Sequence, residues 1–95
     1  MIEKIEVNQI LTGKGAYNSS PLSVSREGMI LAFPAEDFPD VKFVWLDLTI
    51  KSEDRKIRAL GEITGVSGTN GSRTMSVKFK HIFPKDKVVF EKSLH

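Results

Sequence analysis

Cysteine is absent from this chain, which removes disulfides, thiolate nucleophiles and cysteine-based zinc sites together. Stability must come from packing. Long hydrophobic runs are absent as well. Glu3, Lys4, Glu6, Asn8 and Gln9 interrupt the apolar residues between Ile2 and Leu11, so neither a signal segment nor a membrane span is expected. The expectation is a cytoplasmic protein with no membrane insertion. Histidine occurs only at positions 81 and 95, and a metal site there would need folding to bring in a carboxylate such as Asp86; a surface histidine and a terminal one are the simpler account. There is no Gly-x-Ser-x-Gly elbow. The glycines at 61, 65, 68 and 71 are followed by no Gly-Lys-Ser/Thr step and no helix, so turn chemistry explains them better than a phosphate cradle. No catalytic residue, metal or cofactor is assigned, and the chain is not expected to be an enzyme.

What remains is an ordinary globular composition. Ninety-five residues make one small domain, 1–95, and at this size folding hides only roughly two thirds of the unfolded surface, leaving few internal positions for a deep site. With 40% hydrophobic and 27% charged residues, the chain is too apolar to be disordered and too interrupted to cross a bilayer. Its charge is uneven. Lys78, Lys80, Lys85, Lys87 and Lys92 against Asp86 and Glu91 give residues 78–95 a net +3, so the remainder, within a total of +2, carries −1. A basic end of this kind points weakly to an anionic partner, since solvation explains most such clusters.

The patterning is that of strands. Ile5, Val7 and Leu11 alternate with polar residues and predict a first strand; Gly13, Gly15 and Asn18 then predict a reversal. Leu22 and Val24 restart the alternation, and Met29, Leu31 and Phe33 continue it beyond a turn or bulge at Gly28. Pro34 and Pro39 predict a loop. From Val41 to Ile50 the pattern is clearest, with Val44, Leu46, Leu48 and Ile50 on one face and Phe43, Trp45, Asp47 and Thr49 on the other, where a solvated outer face accounts for Asp47. A polar break at 51–56 precedes a strand from Ile57 to Val66. The Asn70-Gly71 pair marks a hairpin, and Met75, Val77 and Phe79 form the last strand. Only the end is helical, with Asp86 as the expected cap and Val89, Phe90 and Leu94 near one face. Such a helix is too short to persist unless it packs on the sheet.

Two surfaces are candidates for contact: the aromatic face around Phe43 and Trp45, and the basic segment from Lys85 to Lys92. With Tyr17, the aromatics could also stack on single-stranded nucleic acid, as small barrels do, but net +2 is weak for tracking phosphates.

The stretch Ser23-Val24-Ser25-Arg26-Glu27-Gly28 resembles the Asp/Asn-x-Ser-x-x-Gly signature of PilZ domains, the bacterial cyclic di-GMP receptors, with Ser25 and Gly28 matching and Ser23 in the acidic or amide place. The order of the later segments is similar too, across nearly all of Ile2 to Leu94. The resemblance implies an all-β fold, a six-stranded antiparallel β-barrel with a short C-terminal helix. It also implies a ligand site built from Ser23, Ser25, Arg26 and Gly28, in which hydroxyls meet guanine edges and glycine lets the backbone come close. In that family an Arg-x-x-x-Arg pair before the first strand grips the phosphates. The four arginines, at 26, 55, 58 and 73, show no such spacing. A charged hydrogen bond contributes about 1.5–3 kcal/mol, so losing the pair and the acidic acceptor lowers affinity by orders of magnitude. Arg26 and Lys4 are partial substitutes. The expected function is therefore a PilZ-type regulatory or adaptor domain in bacterial cyclic di-GMP signalling, in motility, pili, secretion or exopolysaccharide control. It would act on a protein partner, with weak or no cyclic di-GMP binding of its own. The alternatives are a receptor with a degenerate site and a nucleic-acid-binding barrel.

Overall fold

The computed structural model describes residues 5–34, 41–69 and 71–94. Lys4, Phe38, the Pro39 loop, Asn70 of the hairpin pair and His95 lie outside them. Seven strands and one helix make up the described chain: β1 (Ile5–Thr12), β2 (Gly15–Tyr17), β3 (Ser20–Val24), β4 (Gly28–Pro34), β5 (Phe43–Ile50), β6 (Arg55–Thr69), β7 (Ser72–Ile82) and α1 (Pro84–Ser93). All neighbouring strands pair antiparallel in one sheet of order β2-β1-β5-β6-β7-β4-β3. The sheet curls into a half-barrel. The expected six-stranded closed barrel is thus corrected to seven strands in an open curl. The seventh strand is β2, a three-residue return that pairs only with Ile10–Thr12 of β1. β3 approaches β1 across the curl, yet the two are not neighbours in the hydrogen-bonded order, so a seam remains there.

The inner face carries the core. Ile5, Val7 and Ile10 of β1, Met29, Leu31 and Phe33 of β4, Val44, Leu46, Leu48 and Ile50 of β5, Ile57 and Ala59 of β6, and Met75, Val77 and Ile82 of β7 are buried. In β4 and β5 the alternation runs unbroken, as the sequence predicts. Elsewhere it skips. The β1–β5 register shifts between Val7 and Gln9, the β3–β4 register between Pro21 and Ser23, and the β6–β7 register at Leu60/Gly61 and again at Ile63/Gly65. Each shift is a bulge that inserts one extra residue, and three of the four turn two consecutive side chains outward: Asn8 and Gln9, Leu22 and Ser23, Lys80 and His81; the fourth inserts Thr64 before Gly65. The bulge in β1 also corrects the sequence reading. Beyond Asn8 the phase inverts, so Ile10 is buried and Leu11 faces out opposite Trp45.

The chain leaves β5 through a 3₁₀ turn at Lys51–Glu53 and Asp54, whose φ of 47° is the left-handed conformation that a short acidic side chain tolerates. β6 begins at Arg55, two residues before the expected Ile57, because Arg55 and Lys56 pair with Ile50 and Thr49 of β5, and it runs on past Val66 because the hairpin with β7 extends to Thr69.

α1 packs on this sheet through one residue above all. Phe90 is fully buried and meets Phe79 edge-on, ring centroids 5.3 Å apart, with Val89 and Leu94 beside it. Asp86 is not its cap. Phe83 precedes the helix without a side-chain capping bond, and Pro84 opens it, since proline needs no amide partner in the first turn. Asp86 instead accepts from Arg55 at the start of β6, from Nη2 at 2.6 Å and Nε at 3.1 Å. Glu91, one turn further, faces Arg26 in the β3–β4 turn at 3.6 Å. The helix is thereby tied to the start of β6 and more loosely set against the β3–β4 turn. Phe90→Ala removes its only fully buried anchor and is expected to lower stability by about 3–5 kcal/mol. Urea unfolding followed by far-ultraviolet circular dichroism measures this, and a midpoint unchanged from wild type contradicts the anchoring role.

Candidate functional site

The residues expected at the ligand site come together, but as parts of a turn. Ser25-Arg26-Glu27-Gly28 connects β3 to β4. The Ser25 amide donates to the Gly28 carbonyl at 2.8 Å, the Ser25 hydroxyl donates to the same carbonyl at 3.3 Å, and the Glu27 amide donates to the Ser25 hydroxyl at 3.3 Å. This is the side-chain-to-backbone pattern by which serine stabilises a reversal. Glycine at position 28 has a separate reason. A Cβ there would collide with the Val77 carbonyl oxygen, because β4 lies tight against β7 where the Phe79 amide donates to the Glu27 carbonyl at 2.8 Å. Ser23 stands apart from both, turned outward by the bulge in β3 opposite Ile30. Arg26 projects to solvent, its side chain 65% exposed.

A second cluster sits on the outer face. Cross-strand register aligns Gln9 of β1, Asp47 of β5 and Arg58 of β6 in one row. Arg58 donates to Asp47 through Nε at 2.7 Å and Nη2 at 3.3 Å, and Gln9 donates to the same carboxylate at 2.8 Å. The outer face expected for Asp47 is therefore found, but the side chain is only 18% exposed and its carboxylate is held by a forked partner where solvation was expected. Hydrogen bonding from Arg58 holds its pKa below the ordinary 3.8, against an opposing push from burial and with further help from Gln9 and the charge of Lys56. A carboxylate so fixed in its ionised form is poorly suited to proton transfer near neutrality. Alongside runs an open groove of about 460 Å³, floored by Leu48 and Ile57 and edged by Asn8, Lys56, Phe83 and Asp86.

The third feature is apolar. In the next row of the register, Leu11, Trp45, Leu60 and His81 lie side by side across four strands. Trp45 is 39% exposed and Phe43, two residues before it, 46%. The contact face around these two aromatics is thus on the surface. Tyr17 does not join them: it pairs with the buried Ile10 and packs against the core. The charges that border the band are already paired, Lys42 and Lys80 with Glu62 and Arg58 with Asp47.

Sequence reasoning missed Arg58 and Gln9 as partners of Asp47, because only strand register reveals them. Among the described residues no three histidines or carboxylates gather as a metal site, and no helix is long and apolar enough to cross a membrane. Compared with family models, with curated proteins and with solved structures, the chain finds no match in any of the three.

Two outcomes follow from this geometry. Gly28→Ala is expected to cost about 1–3 kcal/mol through overpacking against β7, whereas Ser25→Ala costs about 1 kcal/mol or less; equal effects in thermal melts contradict the steric account. Because the Asp47 pKa is lowered on folding, its contribution to stability is present above the ordinary carboxylate range and is lost as pH falls through the lowered value. The stability gap between wild type and Asp47→Asn, measured by urea unfolding, should therefore be widest near about pH 7 and close toward about pH 2. A gap that is constant with pH contradicts the pairing.

Proposed function

We propose that this protein is a PilZ-type regulatory adaptor, a non-catalytic module that works by protein contact through its outer face. The observation that carries the reading is the band of Leu11, Trp45 and Leu60 with Phe43 beside it. Large aromatics held half in solvent on a rigid sheet are the residue types that dominate binding energy at protein interfaces. The flanking charges are ion-paired, Arg58 with Asp47 and both Lys42 and Lys80 with the one Glu62. The matching partner face is therefore apolar at its centre.

The PilZ part of the reading rests on the resemblance of the Ser25-x-x-Gly28 stretch. In its favour are a curled antiparallel sheet followed by one terminal helix and the position of that stretch at a strand end, between β3 and β4. Adaptor is favoured over receptor because the Ser25 hydroxyl is engaged within its own turn and because Arg55 and Arg58 are each committed to a carboxylate. A guanine-reading hydroxyl would have to be released from its own turn, and neither Arg55 nor Arg58 is free to stack on a base.

The test has two arms. Calorimetric titration with cyclic di-GMP is expected to give no heat at micromolar concentration; heat that disappears in Ser25→Ala makes the protein a receptor. A Phe43→Ser/Trp45→Ser variant that melts like wild type is expected to lose the partner recovered with wild type from the cells that make it. Retention of that partner removes the outer band from the interface. Salt-steep binding to single-stranded DNA that depends on Trp45 would make the protein a nucleic-acid-binding barrel instead.

A further inference from the structure

A recess of about 170 Å³ opens between the β3–β4 turn, the end of β7 and the first turn of α1, lined by Arg26, Phe79, Lys80, His81, Ile82 and Lys87. We propose that it is a binding site for the phosphate group of a small phosphomonoester. The site does not depend on the adaptor reading: it shares only His81 with the row of the outer band and uses neither the hydroxyl of Ser25 nor that of Ser23.

Three cations and an imidazole line it from positions far apart in sequence, and no carboxylate is among the lining residues. Two of the cations are only loosely engaged elsewhere. Arg26 reaches Glu91 through Nε at 3.6 Å and Lys80 reaches Glu62 at 3.5 Å, both beyond direct hydrogen-bond length for charged pairs. The ammonium of Lys87 has no hydrogen-bond or ion-pair partner among the described residues, and Arg26 has only its long contact to Glu91. Like charges gathered round one concavity repel each other, and an oxyanion relieves that repulsion.

The bulge in β7 creates the arrangement. In a regular strand Lys80 and His81 would face opposite sides of the sheet. The extra residue at the Leu60/Gly61 shift turns both outward, beside Arg26 and Lys87, while Phe79 and Ile82 keep their places on the inner side. Bulges that re-aim side chains in this way are common beside binding sites.

Geometry and charge choose the ligand class. A planar carboxylate is satisfied by one guanidinium, whereas donors arriving from a turn, a strand and a helix suit a tetrahedral dianion. At roughly 30 Å³ per water, the recess holds the volume of five or six waters, room for one phosphate and the atoms next to it. A nucleic-acid backbone fits poorly, because Glu62 and Glu91 lie just outside the rim and a chain of phosphates would have to pass them.

The experiment is a titration of the isotope-labelled protein with inorganic phosphate and with phenyl phosphate, followed by amide chemical shifts, with acetate at matched ionic strength as control. Saturable shifts confined to Arg26, Lys80, His81, Lys87 and their neighbours are expected with both phosphates and not with acetate. Arg26→Ala and Lys87→Ala should each weaken binding at least fivefold, Lys14→Ala should leave it unchanged, and Trp45→Ser should bind phosphate like wild type even where it loses a protein partner. Equal shifts with acetate, non-saturating shifts spread over all lysines, or a Lys87→Ala variant that titrates like wild type would overturn the proposal. So would saturable binding of a single-stranded oligonucleotide without binding of either phosphate.

Discussion

A single sheet has to keep one continuous apolar face inward while it curls, and the rest of this molecule follows from how the sequence meets that constraint. Curling demands strong local twist, which bulges supply, and each bulge inserts a residue that would invert the in-and-out phase of everything after it. The sequence meets this by placing two outward residues in succession at the shift. Val7-Asn8-Gln9-Ile10 and Phe79-Lys80-His81-Ile82 share the scheme, so Ile10 and Ile82 remain in the core with their partners across the ladder. What the doublets do on the outer face differs. Asn8 and Gln9 border the polar groove and hold Thr49 and Asp47, whereas Lys80 and His81 bring positive charge and an imidazole to the end of the sheet.

This scheme also explains which parts of the fold were legible in the sequence. β4 and β5 have no internal bulge, and for them strict alternation predicted every buried residue from Met29 to Phe33 and from Val44 to Ile50. In β1 alternation failed after Val7, because Leu11 was taken as the next inward residue where the polar doublet before Ile10 was the signal to skip a position. β2 is shorter than the span over which alternation can be recognised, which is why six strands were expected where seven occur. The helix start was misread for a related reason. A proline at the first helical position is as strong a start signal as an acidic cap, and Asp86 was needed elsewhere, opposite Arg55. The Asp47, Arg58 and Gln9 cluster lay beyond reach, since its members are brought together only by pairing across three strands.

The distribution of charge separates two kinds of surface. Along β5 and β6, Asp47 and Arg58 form a forked pair and Glu62 is approached by two lysines, and the aromatic band is the distinctive chemistry of that face. At the end of β7 and on α1, cations outnumber their close partners. The Ser25-x-x-Gly28 turn lies beside this second surface, and its serine and glycine are both explained by chain geometry: one closes the reversal, the other lets β4 lie against β7. A motif with so complete a structural rationale can persist in a chain whatever becomes of the ligand it resembles a site for.

The seam between β1 and β3 makes the cross-section a hoop with a break in it. Widening that break disrupts no backbone ladder, so opening of the curl is resisted mainly by packing and by α1, which is held to β6 at Arg55 and touches the far turn at Arg26. The same gap is a temptation for any extended segment seeking backbone partners. Pro21 and the outward kink at Leu22 spoil β3 as a template, so the molecule guards this open margin with an irregular strand where a closed barrel would have none to guard.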